Sequence, residues 1–422
     1  MTPFEVFASL TTLAALFSWI NHRWVRLPPT IGLLAIAMCS SLGLVVLHAL
    51  GAFERDPLLP LVRDLDFHDT LLNGMLGAML FAGAIHLQMD DLLRQKWAIL
   101  LLATGSVVIS TVLVGIASWV LFPRLGLEVP FLQCLLFGAL ISPTDPIAVG
   151  ALLQRAGVPK SLHVKITGES LFNDGFGVVV FLVLLSLTAP GAELSFRHVG
   201  MLLLEEVVGG VLYGVVVGFL AYRMLKSVDH YQVEILLTLA VVTGGYALAQ
   251  RLHVSGPLAM VVAGLMVGNQ GRAFAMSDRT QERLDSFWEL VDEFLNALLF
   301  VLIGVEVVVL EFSWPFLAAG FLLIPILLAA RGVSVGIPIL LLRAWRQPVS
   351  RYAITLLTWS GLRGGISVAL ALSLPKGGPH DLIVTATYLV VAFSILVQGL
   401  TVGPLAAWLQ SRPVTSQRSS RH

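Results

Sequence analysis

Four polar side chains stand at the head of one apolar segment. The stretch GESLFNDG at 168–175 runs on into FGVVVFLVLLSLTAP, which is apolar enough to sit in lipid. In a helix Ser170, Asn173 and Asp174 share a face, since they are spaced i, i+3 and i+4, and Glu169 precedes Asn173 by four residues. A carboxylate near the centre of a membrane helix costs about 2.5–3.5 kcal/mol, so such residues usually mark functional sites.

A second polar cluster interrupts the apolar segment before it. The sequence SPTDP at 142–146 contains two prolines, each of which removes a backbone donor and clashes with the carbonyl four residues earlier. The residue before each proline is pushed toward extended geometry, so we predict a helix break around Thr144 and Asp145. Carboxylates, a hydroxyl and the freed carbonyl of Thr144 would suit a hard cation such as sodium. Because no set of thiolates or imidazoles accompanies them, a transition metal is disfavoured, and we expect no cofactor.

Two arginines inside apolar segments supply the opposite charge. Arg331 and Arg363 cannot be deprotonated in proteins, so each needs a buried anion. Glu169 and Arg331 make the most economical pair, which leaves Arg363 for helix-end dipoles or the remaining carboxylates; the sequence does not decide which arginine meets which acid. With Asp145 and Asp174 included, three acids and two bases leave a formal charge of −1. One monovalent cation or one proton would neutralise this cluster, which predicts one-for-one exchange that the membrane potential does not drive.

The composition requires that these residues be positioned by helices in a membrane. Of the 422 residues 57% are hydrophobic and 12% charged, and the mean hydropathy is +0.87; soluble domains carry about 25% charged residues. A net charge of zero gives no support for a nucleic-acid partner. The sequence predicts an all-α polytopic membrane protein with about 13 transmembrane helices, since one span takes about 20 residues. The predicted spans are 4–20, 29–50, 69–87, 97–122, 130–153, 166–189, 198–222, 233–251, 254–269, 288–311, 314–342, 352–374 and 382–409.

The two predicted interruptions occupy matching places in the chain. In GLRGG at 361–365, three glycines surround Arg363 and weaken the twelfth span. With the N-terminus outside, 18 of the 26 lysines and arginines fall in inner loops and 6 in outer loops, as the positive-inside rule requires. Spans 4–6 and 11–13 then run in opposite directions, each triplet with its broken helix in the middle. This predicts inverted repeats with two broken, crossing helices, 5 and 12, an arrangement typical of secondary transporters.

Two other functional classes are disfavoured. A cation channel also has buried acids, but channels usually present rings or filters at a fixed pore, so a channel is the weaker alternative. GVSVG at 332–336 matches the G-x-S-x-G motif of hydrolases, but it lies inside an apolar helix with no histidine in the same span. We therefore predict that the protein is not an enzyme.

The motifs together resemble a known family. The segments TDP at 144–146, GESLFNDG at 168–175, AARGVSV at 329–335 and GLRGGISVALALSLP at 361–375 look like those of bacterial sodium/proton antiporters of the monovalent cation:proton antiporter-1 family, and FLNALLFVLIG at 294–304 is also similar. The resemblance spans nearly all the membrane region. It implies exchange of sodium, and of lithium, for protons by an elevator-like core movement, with a potassium/proton antiporter of the same fold as the alternative.

The resemblance also implies roles for single residues. The cation ligands would be Asp174, Asp145, Ser170 and the Thr144 carbonyl, and Asn173 would mark the electroneutral Asn-Asp type. Glu169, beside these ligands, would form a structural ion pair with Arg331, and Arg363 would compensate charge.

A homodimer in the cell (inner) membrane, in contact with lipid, is implied as well. We expect the N-terminus outside and the C-terminus in the cytoplasm. The expected division is 1–96 and 231–312 for the two parts of a dimerisation domain, 97–190 and 313–410 for the two parts of the core, 191–230 for a linker helix and 411–422 for a short cytoplasmic tail.

Overall fold

Helices make up the protein throughout the described residues. The structure, a computed structural model, describes residues 2–50, 74–145, 150, 153, 156–188, 196–310, 313–347, 349–350 and 352–411. Besides short helical turns, the helices are α1 (Pro3–Ile20), α2 (Pro29–Ala49), α3 (Leu76–Ile85), α4 (Met89–Arg94), α5 (Lys96–Arg124), α6 (Phe131–Ile141), α7 (Lys160–Ser186), α8 (Phe196–Leu225), α9 (Tyr231–Arg251), α10 (Gly256–Met266), α11 (Asp278–Glu306), α12 (Trp314–Ala344), α13 (Ala353–Ser360), α14 (Gly365–Leu372) and α15 (His380–Ser411).

The predicted all-α membrane architecture is confirmed. Among the described residues, eight helices are long and apolar enough to cross a membrane, and α3 and α6 are shorter apolar helices. Each predicted span overlaps at least one helix, but the number thirteen stays a prediction. Residues 51–73, Pro146 and the tail from 412 onward, all used in the sequence argument, lie outside the described residues.

Both predicted helix breaks are present. Helix α6 ends at Ile141 and Thr144 is not helical, as the prolines require. The twelfth predicted span is divided into α13 and α14, with residues 361–364 between them. The two breaks meet: the Asp145 N–H donates to the Leu362 carbonyl at 2.8 Å, and the two residues form an isolated antiparallel bridge. Two interrupted helices therefore cross inside the protein.

Two boundaries differ from the sequence prediction. The tenth predicted span begins at residue 288, but α11 begins earlier, at Asp278, and continues unbroken to Glu306. Its first turns carry buried Thr280, Leu284 and Trp288 at four-residue spacing, and the indole of Trp288 donates to Thr238 Oγ1 at 3.1 Å. This packing extends the helix beyond the apolar window. Lys165 lies just outside the predicted span 166–189, yet it is buried within α7.

The helices pack into two groups. In one group α5 contacts α6 and α12, and α15 contacts α12 and α14; in the other α11 contacts α1, α2 and α3, and α10 contacts α3, α8 and α9. Helices α7 and α15 are the most enclosed, with 72% of their apolar windows buried against 17% for α8. The expected division into a core, a linker and a dimerisation domain stays a prediction.

Candidate functional site

A buried amide fixes the end of the first broken helix. The Asn173 side chain on α7 accepts from the Thr144 N–H at 3.2 Å and donates from Nδ2 to Thr144 Oγ1 at 2.9 Å. Thr144 Oγ1 also lies 3.0 Å from Ser170 Oγ, one turn earlier on α7. All three residues are buried. The i, i+3 spacing read from the sequence thus places Ser170 and Asn173 against the break, where they replace the helical hydrogen bonds that the prolines prevent.

The backbone of the second break lies in close contact with charged side chains around the first break. A Cβ at Gly364 would lie 2.6 Å from Asp145 Oδ2, and a Cβ at Gly361 would lie 2.7 Å from Arg331 Nε. Contacts this short would force the neighbouring atoms to shift, so glycine at these positions lets the carboxylate and the guanidinium lie this close to the backbone without displacement. The glycines predicted to weaken the helix also provide the space that the charged groups occupy.

Arg363 binds the end of α6. Its Nη1 donates to the carbonyl oxygens of Ser142 and Pro143, at 2.5 and 3.0 Å, and its backbone N–H donates to Ser394 Oγ at 2.9 Å. The guanidinium therefore lies at the negative end of the helix dipole, which is the first of the two alternatives left open by the sequence. Ser394 begins a π-helical turn, and its hydroxyl donates to Gln398 Oε1 at 2.8 Å. Such turns often accompany functional sites.

Glu169 and Arg331 are joined by an ion pair. Glu169 Oε1 lies 2.6 Å from an Arg331 terminal nitrogen, and the side chains are 1% and 4% exposed. A buried pair of this kind is tolerated because each charge compensates the other, whereas either charge alone would be costly. Glu169 is therefore engaged with α12 and does not share the Thr144 network of Ser170 and Asn173.

Asp174 faces a cavity between the two groups of helices. The side chain is 7% exposed, and the cavity is also lined by Asp145, so two of the three predicted acids meet there. Within the part of the chain that the structure describes, the Asp174 carboxylate makes no hydrogen bond or ion pair. The carboxylate is thus open to a cation or a proton entering the cavity, without a basic partner to displace.

The donor set is one that a hard monovalent cation would accept. Thr144, Ser170, Asp145 and Asp174 lie around the first break and offer hydroxyl, carbonyl and carboxylate oxygens. Among the described residues, no three His, Cys, Asp or Glu side chains are grouped to hold a metal ion. The three acids and two arginines of the cluster leave a formal charge of −1, which one singly charged ion balances.

Sequence reasoning found every residue of this network except the partners of Arg363 and one wall of the cavity. The carbonyls of Ser142 and Pro143 carry no side-chain signal. Asp292 and Ser367 also line the cavity. Asp292 was not among the predicted site residues, because the local sequence does not tell which side of a helix faces a cavity.

Comparison with known proteins gives the same family as the motifs. Residues 11–408 match the family described as sodium/hydrogen exchanger, transmembrane. The chain is 50% identical over 405 residues to the Na(+)/H(+) antiporter NhaP of Pseudomonas aeruginosa, which covers 95% of this chain and 96% of that protein. It is 32% identical over 361 residues to the Na(+)/H(+) antiporter NhaH of Halobacillus dabanensis, covering 82% of this chain and 87% of that protein.

A solved structure has the same fold. The sodium proton antiporter MjNhaP1 from Methanocaldococcus jannaschii superposes with a TM-score of 0.73 at 18% sequence identity, covering 98% of this chain and all of that one. The relatives carry the names of transporters, which confirms the prediction that the protein is not an enzyme. The family match over most of the sequence, together with a relative that shares half of its residues, establishes that this chain belongs to the sodium/hydrogen exchanger family, within the monovalent cation:proton antiporter-1 group that its motifs predicted.

Proposed function

We propose that the protein exchanges sodium for protons across the cell membrane, with Asp174 as the carrier of both ions. The observation that carries this proposal is a buried carboxylate without a basic partner among the described residues, lining a cavity where two broken helices cross. The name of the NhaP relative, an Na(+)/H(+) antiporter at 50% identity, supports the same activity.

Coupling follows from competition for one charge. A sodium ion and a proton each neutralise the Asp174 carboxylate, and the two cannot do so at once. The core crosses the membrane at low cost only when its buried charge is compensated, because an uncompensated charge in a low dielectric is expensive. The transport of one sodium ion in one direction is therefore followed by the transport of one proton in the opposite direction.

The cation ligands in this proposal are Asp174, Asp145, Ser170 and the Thr144 carbonyl. Asn173 holds Thr144 in place through its two hydrogen bonds, and thereby shapes the site. The pair of Glu169 with Arg331 stabilises the core, and Arg363 compensates charge at the end of α6.

Alternating access comes from movement of the core, residues 97–190 and 313–410, against the dimerisation domain of 1–96 and 231–312. The packing of helices into two groups supports such a movement, since the cavity with Asp174 lies where the groups meet. Residues 191–230, which contain α8, serve as the linker. We further propose a homodimer in the inner membrane, with the N-terminus outside and the C-terminus in the cytoplasm; a protomer mass in native mass spectrometry would contradict the dimer.

Proton flux in proteoliposomes tests the function directly. Gradients of sodium, lithium and potassium are imposed one at a time, with protein-free liposomes as the control. We expect saturable proton flux with sodium and lithium. Flux driven by potassium alone would favour the potassium/proton alternative, and cation flux that neither saturates nor moves protons would favour a channel.

A further inference from the structure

A third carboxylate lines the cavity that contains Asp174 and Asp145. It belongs to Asp292 on α11, which forms one wall of the cavity together with Leu299 and with residues of α3. The opposite wall comes from the crossing helices and from α7. Asp292 thus faces the two acids of the crossing from the other group of helices.

Unpartnered polar atoms accompany this carboxylate. Ser367 lines the same cavity, is 1% exposed, and its hydroxyl has no hydrogen-bond partner among the described residues. Asn296 lies one turn after Asp292 and is 2% exposed; its Nδ2 donates to the Asp292 carbonyl at 2.8 Å, which leaves its Oδ1 without a partner in the same part of the chain. Helix geometry puts Asn296 on the face that also carries Asp292 and Leu299.

Buried polar oxygens without partners are costly, by about 1–3 kcal/mol each, so proteins keep few of them without a use. The unpartnered oxygens here belong to the Ser367 hydroxyl and the Asn296 amide, and the Asp292 carboxylate accompanies them. Oxygens of these types are the donors that a hard cation prefers. The surrounding side chains, including Leu76, Met79 and Leu299, are apolar and cannot serve that purpose.

We propose that Asp292, Ser367 and Asn296 form a second binding site for a monovalent cation, the vestibule site, which holds the ion before Asp174 takes it. This inference rests on the proposed function, since it divides the path of the same cation into two steps. The vestibule site is made partly by the core, through Ser367, and partly by α11, through Asp292 and Asn296.

The division between two groups of helices makes the vestibule site one-sided. When the core moves, Asp174 and Ser367 travel with it, while Asp292 stays with α11. Asp292 therefore acts on the cation only while the cavity is arranged as in this structure. It raises the cation affinity on one face of the membrane and leaves the other face unchanged.

The same division removes an objection to electroneutral exchange. Adding Asp292 to the acids around the cavity would make the cluster more negative and would invite a second proton. Because Asp292 does not belong to the moving group, its charge does not cross the membrane with the cargo.

The simpler interpretation is a solvated acid at the end of a helix. Such an acid attracts cations only by its charge, as would Glu293, an exposed neighbour on the same helix that does not line the cavity. Glu293→Gln is therefore the matched control for Asp292→Asn, since each removes one negative charge from adjacent positions.

The experiment measures the sodium concentration for half-maximal proton flux on each face, in right-side-out and everted membrane vesicles. We expect Asp292→Asn to raise this sodium concentration about tenfold on the face to which the cavity opens, because one negative charge close to the cation is lost. On the other face the concentration should change less than twofold. Glu293→Gln should change it less than twofold on both faces. Ser367→Ala should raise it about threefold on the first face, although removal of an unpartnered hydroxyl does not destabilise the fold.

Equal effects of Asp292→Asn and Glu293→Gln, or equal effects on both faces, would overturn the vestibule site while the exchange activity of the wild type stands. Absence of sodium-driven proton flux in the wild type would instead overturn the proposed function. A binding measurement separates the vestibule site from the proposed function. Sodium binding to the Asp174→Asn variant is measured as an increase in its melting temperature. A small increase that is abolished by adding Asp292→Asn supports the vestibule site, and no increase contradicts it.

Discussion

The two broken helices that cross in this protein are broken by different residues, and they contribute opposite charges. Proline ends α6, and the exposed end offers backbone carbonyls with Thr144 and Asp145 beside them. Glycine separates α13 from α14, and that segment offers the cationic Arg363 and the space for its neighbours. Each break supplies what the other lacks: Arg363 donates to the carbonyls after α6, and Asp145 donates its N–H to Leu362.

This difference suggests a division of labour within an inverted pair. The acidic side, with Asp145 and the adjacent Asp174, would handle the transported ions. The basic side, with Arg363 and the Arg331 that lies against Gly361, would hold the crossing together. Changes on the acidic side should then abolish transport and spare the fold, whereas changes on the basic side should weaken the fold first.

The largest effect is expected on the acidic side. Asp174→Asn keeps the shape of the side chain but removes its charge, so sodium-driven proton flux in proteoliposomes should be lost, while the melting temperature stays within a few degrees of the wild type. Removal of a buried charge without a basic partner among the described residues gives no reason for unfolding. Robust exchange in this variant would take the carrier role away from Asp174.

The basic side should respond in stability. Glu169→Ala or Arg331→Ala leaves one buried charge unpaired, which typically costs about 3–5 kcal/mol, so thermal unfolding in detergent should begin well below the wild-type temperature. The double variant should lose less than the two single losses combined. Simply additive losses would mean that the 2.6 Å contact contributes nothing as a pair.

Whether the sequence predicts a feature of the two breaks depends on how far apart in the chain the interacting residues lie. Proline and glycine act on their own backbone, so both breaks were predicted at the residues where they occur. The i, i+3 spacing of Ser170 and Asn173 was also local, and it placed both side chains against Thr144. The partners of Arg363 lie 220 and 221 residues away in the sequence. They are backbone carbonyls, which every residue has, so no residue type indicates them.

The extent of α11 was missed for a related reason. A polar helix end is stabilised by a few buried contacts, such as Trp288 with Thr238, and the composition of the segment does not reveal them. Asp292 was not predicted as a site residue, because an acid that faces a cavity and an acid that faces water have the same neighbours in sequence. Local chemistry was therefore predictable, and the contacts between distant segments were not.

A smaller effect tests the space that the glycine break provides. Gly364→Ala would bring a Cβ to 2.6 Å from Asp145 Oδ2, so the carboxylate must shift. Overpacking of this kind costs about 1–3 kcal/mol, and we expect a lower melting temperature together with a higher sodium concentration for half-maximal flux. Gly336→Ala on α12 is the control, since a Cβ there meets nothing within 4 Å. If both variants behave alike, the close approach at Gly364 is not needed.

The last prediction is that the membrane potential has no effect on the rate of exchange. The cluster carries three negative charges from its acids, Asp145, Glu169 and Asp174, and two positive charges from its arginines. One sodium ion or one proton therefore completes the balance. Asn173 has no ionisable group, and its amide is occupied in both directions by Thr144.

Exchange in liposomes should therefore run at the same rate with the potential clamped at zero, inside-negative or inside-positive, although each charge moved would be worth about 2.3 kcal/mol per 100 mV. A reproducible current whose sign reverses with the sodium gradient would contradict one-for-one exchange. It would mean that a second acid changes protonation during the cycle. Asp145 would then be the first candidate, because the proposed movement of the core would carry it, and Asp292 would be a candidate only if α11 moves as well.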